Sequence, residues 1–204
     1  MSGGFFDKVY QARDADQTRD LYDAWAASYE AEVAANGYVT PGRCADALAS
    51  CLADKTAAIL DFGCGTGLSG LALRKAGFTT LDGVDLSVEM LACARDKGAY
   101  RTLTQIEADA ALPAIPGAYA AVTAIGVIGA GAAPISVFDV LLGALAPGGF
   151  LVFSFNDHAL EEAENEARVS HAIESGEAVQ LFHEYGPHLT GLNLNSAVYV
   201  LEKT

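Results

Sequence analysis

Short apolar runs alternate along this chain with longer stretches of mixed polarity, a rhythm that predicts inner strands separated by helices. The runs at 57–62, 79–85, 103–107, 120–124 and 150–155 are of buried-strand type, and they predict a mostly parallel sheet covered on both faces. Ser87, with Glu89 just after it, predicts a helix N-cap, and Asp157 predicts another for a helix carrying Glu161 and Glu162. Beyond that the character changes. Residues 178–185 and 196–202 are strand-like but joined only by Gly186-Pro187 and Gly191-Leu192-Asn193, which suits an antiparallel pair. Ahead of about Thr40 lies a helical leader holding the single Trp25, with Tyr22, Trp25, Ala26 and Tyr29 on one helical face. An aromatic stripe at that spacing packs on a core as a rule, which is the expectation for Trp25. No internal repeat or low-complexity segment interrupts the pattern.

The first strand run ends in Asp61-Phe62-Gly63-Cys64-Gly65-Thr66-Gly67 and opens directly onto an amphipathic stretch from Leu68. Alternating glycines let a backbone turn sharply and approach a ligand closely, since no Cβ stands in the way. Strand, glycine loop and helix N-terminus together predict a nucleotide-type site at the carboxyl edge of an open α/β sheet. Gly65, Gly67 and Gly70, with Asp85 further on, also satisfy the dinucleotide spacing, so the glycines leave the ligand open. Asp61 narrows it. A carboxylate beside the loop repels a pyrophosphate and attracts a cationic group, and no Lys or Arg lies between Asp61 and Gly70 to offset it. The P-loop pattern is absent, because Leu68 follows Gly67.

A length of 204 residues fits one domain. Its 26 acidic against 12 basic residues give a net charge of -14 and a pI near 4.4, which repels a phosphate backbone and makes nucleic acid a poor partner. Cys44, Cys51, Cys64 and Cys93 lack paired spacing and a His cluster, so they predict reduced thiols and no metal. The N-terminus has no apolar run of signal-peptide length, so the expected location is cytoplasmic. Between Asp109 and Asp139 no residue is charged, yet Pro113, Pro116 and Pro134 and the repeated Gly and Ala argue against a membrane helix.

These motifs, in this order, resemble the class I S-adenosylmethionine-dependent methyltransferases. The Asp61 to Gly67 stretch is similar to their signature loop, Gly83-Val84-Asp85-Leu86-Ser87 to the end of their second strand, Ile106-Glu107-Ala108-Asp109-Ala110 to their adenine-binding segment, and Pro147-Gly148-Gly149 to the turn into their fifth strand. Within the family, Tyr22-Asp23-Ala24-Trp25 through Tyr29-Glu30 resembles the small ubiquinone-biosynthesis and methyltransferase-like protein 27 type. The resemblance implies a Rossmann-like, seven-stranded, mostly parallel sheet with the last strand antiparallel. It implies a helical lid over residues 1–40 on a core of 41–204, and S-adenosylmethionine as cofactor. Asp85 would take the ribose hydroxyls and Asp109 the adenine amino group. The expected cofactor set is Tyr22, Tyr29, Asp61, Gly63, Cys64, Gly65, Gly67, Asp85, Leu86, Asp109, Ala110 and Ile125.

The acceptor end is less marked. Methyl transfer from a sulfonium is an in-line displacement, so positioning and shielding supply most of the acceleration and no dedicated base is required unless the acceptor must lose a proton. His158 and His183 are candidates by residue type alone, and each fits a surface role better. Arg43 fits an ordinary exposed arginine better than a partner for a ligand carboxylate. After the fourth strand run comes Ile125-Gly126-Val127-Ile128-Gly129-Ala130-Gly131, where related enzymes place a polar turn, and the run begins at Tyr119 where they place an acidic residue. The expectation is therefore a methyltransferase for a small-molecule acceptor with an apolar body, in an assembly whose size the sequence leaves open. A nicotinamide oxidoreductase and a non-catalytic S-adenosylmethionine-binding protein stay as alternatives.

Overall fold

The computed structural model describes residues 15–108, 112, 117–129 and 132–204. Helix α1 spans Ala15–Ala35 and α2 spans Thr40–Cys51. Then follow β1 (Ala58–Phe62), α3 (Leu68–Lys75), β2 (Thr80–Asp85), α4 (Val88–Asp96), β3 (Thr102–Gln105), β4 (Ala121–Ala124) and α5 (Ser136–Gly143). The chain closes with β5 (Phe150–Asn156), α6 (Asp157–Leu160), α7 (Ala163–Glu174), β6 (Ala178–Leu189) and β7 (Leu194–Lys203). The seven strands form one sheet in the order β3-β2-β1-β4-β5-β7-β6. Strands β1 to β5 pair in parallel, and β7 runs antiparallel to both β5 and β6. Every strand run read from the sequence is a strand here, with ends moved by a few residues at most.

Because successive inner-strand residues point to opposite faces and both faces are covered, Ile59 and Leu60, Ala121 and Val122, and Val152 and Phe153 are all buried. One face packs under α2 and α3, where Cys44, Leu48, Leu73 and Phe78 meet Ile59, Val152 and Val200. The other packs under α5 and α7, where Phe138, Leu141 and Val169 meet Leu60, Phe153 and Tyr199. Phe153 stacks on Tyr199 at 4.9 Å between centroids and meets Phe138 and Phe155 edge-on, geometries that add to the roughly 1.5–3 kcal/mol from burying such a ring.

The order places a switch point between β1 and β4: the chain leaves β1 toward β2 and β3, then returns to lay β4 on the other side. The loops after these two strands diverge and open a crevice at their carboxyl ends. Ser87 caps α4, accepting from the Met90 amide at 3.0 Å, as its sequence position predicts. Asp157 departs from expectation. Asn156 is the cap, accepting from the Ala159 amide, while Asp157 accepts from the Tyr185 hydroxyl and the Asn195 amide. The helix predicted to carry Glu161 and Glu162 is broken there into α6 and α7. Gly186-Pro187 is not a loop either: β6 continues through it to Leu189, which the edge position allows because an edge proline withholds no ladder bond. The reversal comes later, at Asn193 with φ +54°.

Candidate functional site

The glycine loop starts from a buried anchor. Asp61 is 1% exposed, and its carboxylate accepts hydroxyl protons from Ser69 (2.5 Å), Tyr100 (2.6 Å) and Thr123 (2.6 Å). Thr123 reaches it because parallel register puts the two residues opposite each other on β1 and β4. Tyr100 reaches it through the space left by Gly70, where a Cβ would lie 2.4 Å from the phenol oxygen, and it also accepts from the Gly70 amide at 2.9 Å. Burial pushes the Asp61 carboxyl above its ordinary range, while the hydroxyl donors hold it down. Asp61 is thus turned to the underside of the loop and is not among the residues that line the crevice. Gly67 does not line the crevice either. It is the left-handed N-cap of α3 (φ +92°), packed on Ala94 and Tyr100 behind the crevice wall.

Gly63, Cys64 and Gly65 do line the crevice, and Gly65 (φ +53°) has open space where a Cβ would stand. Asp85, ending β2, accepts from the Gly65 amide at 2.8 Å and the Ser87 amide at 2.9 Å, so one carboxylate ties the loop to the start of α4. Burial raises its pKa and these amide donors oppose the rise. Burial likewise pushes the Cys64 thiol up, which makes it inert. Leu86, Ile125, Tyr22 and Tyr29 line the same crevice, while Asp109 and Ala110 lie outside the described residues.

The crevice is a cavity of about 1020 Å³. Its roof is α1, where Trp25, 2% exposed, is flanked by Tyr22 at 5.9 Å and Tyr29 at 4.8 Å between ring centroids. Asp23 of that helix accepts from the Ser87 hydroxyl and Glu30 pairs with Lys97, both holding α1 against α4. The far wall, with Val127, Ile135, Val137 and Val140, is apolar apart from Ser136. Charged lining residues are mostly carboxylates, Asp85, Asp16, Glu107, Glu162 and Glu164. Among the described residues Arg19 is the one lysine or arginine on the wall, and it pairs with Asp16 at 2.8 Å and Glu107 at 3.5 Å. Such a wall favours a ligand with cationic groups over a pyrophosphate.

Neither histidine chosen by type lines the cavity. His158 lies on α6, 4.0 Å from Glu161, and His183 stacks on Tyr199 at 4.3 Å on the outer strands. Arg43 is not an ordinary exposed arginine. Its guanidinium donates to the carbonyls of Glu184, Pro187 and Ser196 and to the Ser196 hydroxyl, pinning α2 to β6 and β7. Tyr100, Ser69 and Thr123 as loop anchors, and His188 altogether, carried no signal in the sequence; the last was hidden because Gly186-Pro187 reads as a turn.

The fold and site define a nucleotide-type crevice at the switch point of an open α/β sheet. The chain belongs to the methyltransferase domain family, class I S-adenosylmethionine-dependent methyltransferases, whose profile matches residues 37–197. It is 36% identical over 141 residues to human (Homo sapiens) methyltransferase-like protein 27, a match covering 68% of this chain and 57% of that relative. The chain thus accounts for little more than half of the length of that curated relative. Among solved structures, the [4+2]-cyclase SpnF superposes with a TM-score of 0.69 at 19% identity, covering 94% of this chain and 97% of the other. A TehB-like S-adenosylmethionine-dependent methyltransferase from Corynebacterium glutamicum superposes with a TM-score of 0.60 at 21% identity, covering 90% and 98%. Among the described residues no helix is long and apolar enough to cross a membrane.

Proposed function

We propose that this protein transfers the methyl group of S-adenosylmethionine to a small, partly apolar acceptor enclosed beneath α1. The observation that carries the reading is the cavity itself: a glycine cradle with Asp85 on one side, an apolar wall on the other, and carboxylates where a pyrophosphate would need cations. Its volume of about 1020 Å³ is at the upper end for small-molecule sites and leaves room for a second, small reactant beside a nucleoside. The vacant Cβ direction at Gly65 is where the loop admits a ligand closely.

Asp85 takes the ribose hydroxyls with the lone pairs its two amide bonds leave free, and Asp109 the adenine amino group. Asp61 works from below, fixing the loop through Ser69 and through β4. Tyr22 and Tyr29 close the site and exclude water, which shields the reacting carbon and strengthens its electrostatics. Bound there, S-adenosylmethionine would supply an activated methyl group to an acceptor lone pair. For that step the chain needs chiefly to align two reactants.

A second reading, the same cofactor bound without methyl transfer, is favoured by the stretch Ile125 to Gly129, which brings no ionisable side chain to the reactants. A structural neighbour named as a cyclase illustrates that this fold does not fix the reaction. Radiolabelled methyl transfer against pooled metabolites, proteins and RNA separates the readings. Label in the metabolite fraction supports the proposal; label in macromolecules alone, or none at all with cofactor bound, contradicts it.

A further inference from the structure

A second, smaller chamber of about 70 Å³ opens behind the main cavity and shares Tyr22, Tyr29, Tyr38 and Gly126 with it. That volume matches the share of about two waters in the liquid, enough for a two- or three-atom polar group. Its inner wall carries Asn156 from the end of β5 and His188 from the extension of β6. None of the residues lining it is acidic.

A buried hydrogen-bond chain runs behind His188. Arg43 holds only donors, and its guanidinium donates to the Ser196 hydroxyl oxygen at 3.0 Å. Ser196 Oγ lies 3.0 Å from Thr40 Oγ1, which lies 2.8 Å from His188 Nδ1. Thr40 and Ser196 are fully buried, so the chain is closed to water. Arg43 offers no acceptor, so the arrangement that gives both hydroxyl protons a partner within the chain has Ser196 donating to Thr40 and Thr40 donating to Nδ1. Nδ1 is then the acceptor nitrogen, and the neutral ring carries its proton on Nε2. Burial keeps the ring neutral, with its pKa pushed down to about 4; Arg43 and His158 act in the same direction and Asp157 against them.

His188 is 6% exposed, its Nε2 has no partner among the described residues, and its remaining surface borders the chamber. Asn156 spends its Oδ1 on the Ala159 amide, which leaves its NH₂ as a donor. Tyr38, edge-on to His188 at 5.2 Å between centroids, brings a phenol to the same wall. Donors converge there and no carboxylate answers them.

We propose that this chamber anchors the methyl acceptor by a carbonyl-type oxygen, of a ketone, ester or carboxylate, with His188 donating from Nε2 as a positioning residue. The anchor rests on the small-acceptor reading above and deepens it: a carbonyl held in the chamber points the rest of the acceptor past Tyr38 into the main cavity.

The test uses the full chain with ¹⁵N-labelled histidine, saturated with S-adenosylhomocysteine, and three probes: benzoate, acetophenone and benzylamine. At pH 7 His188 should show the Nε2–H tautomer, and benzoate or acetophenone should shift that resonance while benzylamine leaves it in place. Which of the two moves it identifies the carboxylate or the neutral carbonyl as the anchor. His188→Leu should weaken that probe at least about tenfold, the loss expected for one such hydrogen bond, and His188→Gln, which returns an N–H near the Nε2 position, should stay within about threefold of wild type. S-adenosylhomocysteine affinity should be the same in all three proteins. An Nδ1–H tautomer, a resonance that no oxygen probe moves, or equal probe binding by His188→Leu overturns the anchor. Should S-adenosylhomocysteine fail to bind the wild type, the cofactor reading falls, and the tautomer and probe titrations still judge the chamber. If the variants do not fold, the wild-type spectra decide.

Discussion

Two aspartates on adjacent strands divide the work at the glycine loop. Asp61 is sealed behind the loop by three hydroxyls, and Asp85 faces the cavity with its oxygens on two amides. Tyr100→Phe removes a donor from a buried carboxylate and an acceptor from the Gly70 amide. It should cost about 1–3 kcal/mol in urea denaturation while weakening cofactor binding less. Asp85→Ala should act mainly on binding: loss of a charged acceptor for ribose corresponds to roughly 1.5–3 kcal/mol, or about tenfold to 150-fold in Kd by calorimetry. Unchanged affinity would take Asp85 out of the site. The sequence revealed Asp85 because a strand-end carboxylate in an open sheet points to the crevice. The side to which Asp61 turns was not legible, because chain proximity to a loop does not tell it. The deciding partners, Tyr100 and Thr123, come from distant positions through register and a missing Cβ at Gly70.

Helix α1 meets the rest of the protein mainly through α4 and its aromatic face, whereas α2 is built into the core with Cys44, Ala45 and Leu48 buried. This difference suggests a lid that can be removed separately. Deleting residues 1–36 should preserve the far-ultraviolet circular dichroism of the sheet and abolish most cofactor binding and turnover. Wholesale unfolding would make α1 a core element, and unaltered turnover would end its role as a lid. Asp23→Ala with Glu30→Ala is the milder version. Paired, partly exposed side chains contribute about 0.2–1 kcal/mol each, so stability should barely change while cofactor affinity drops as the roof loosens. The inner strands were legible in the sequence because buried apolar runs announce themselves, whereas β3, read from 103–107 as a buried run, is an edge strand that is largely exposed. The extension of β6 was not legible, since Gly186-Pro187 has the chemistry of a turn and only its edge position makes it tolerable in a strand. His188 went unnoticed with it.

Across the whole molecule, the buried imidazole links stability to pH. The folded-state pKa of His188 is about 4, below the unfolded value near 6.5. Its contribution is therefore present above pH 6.5 and is lost as pH falls toward 4, by about 3 kcal/mol when fully expressed. Asp61 and Asp85, both raised, work in the opposite sense as they protonate, and Asp82, held down to about 2 by Arg101 and neighbouring hydroxyls, loses its contribution only below pH 4. The difference between wild type and His188→Gln isolates the imidazole: chemical denaturation across pH 7 to 4 should show the wild type losing stability more steeply.

What the cavity holds decides the function of the protein. Calorimetric titration of the wild-type chain with S-adenosylhomocysteine and, separately, with NADH tests that most directly. Saturable one-to-one binding of S-adenosylhomocysteine and no heat of binding with NADH is the predicted result; saturable binding of NADH with none of S-adenosylhomocysteine would contradict it.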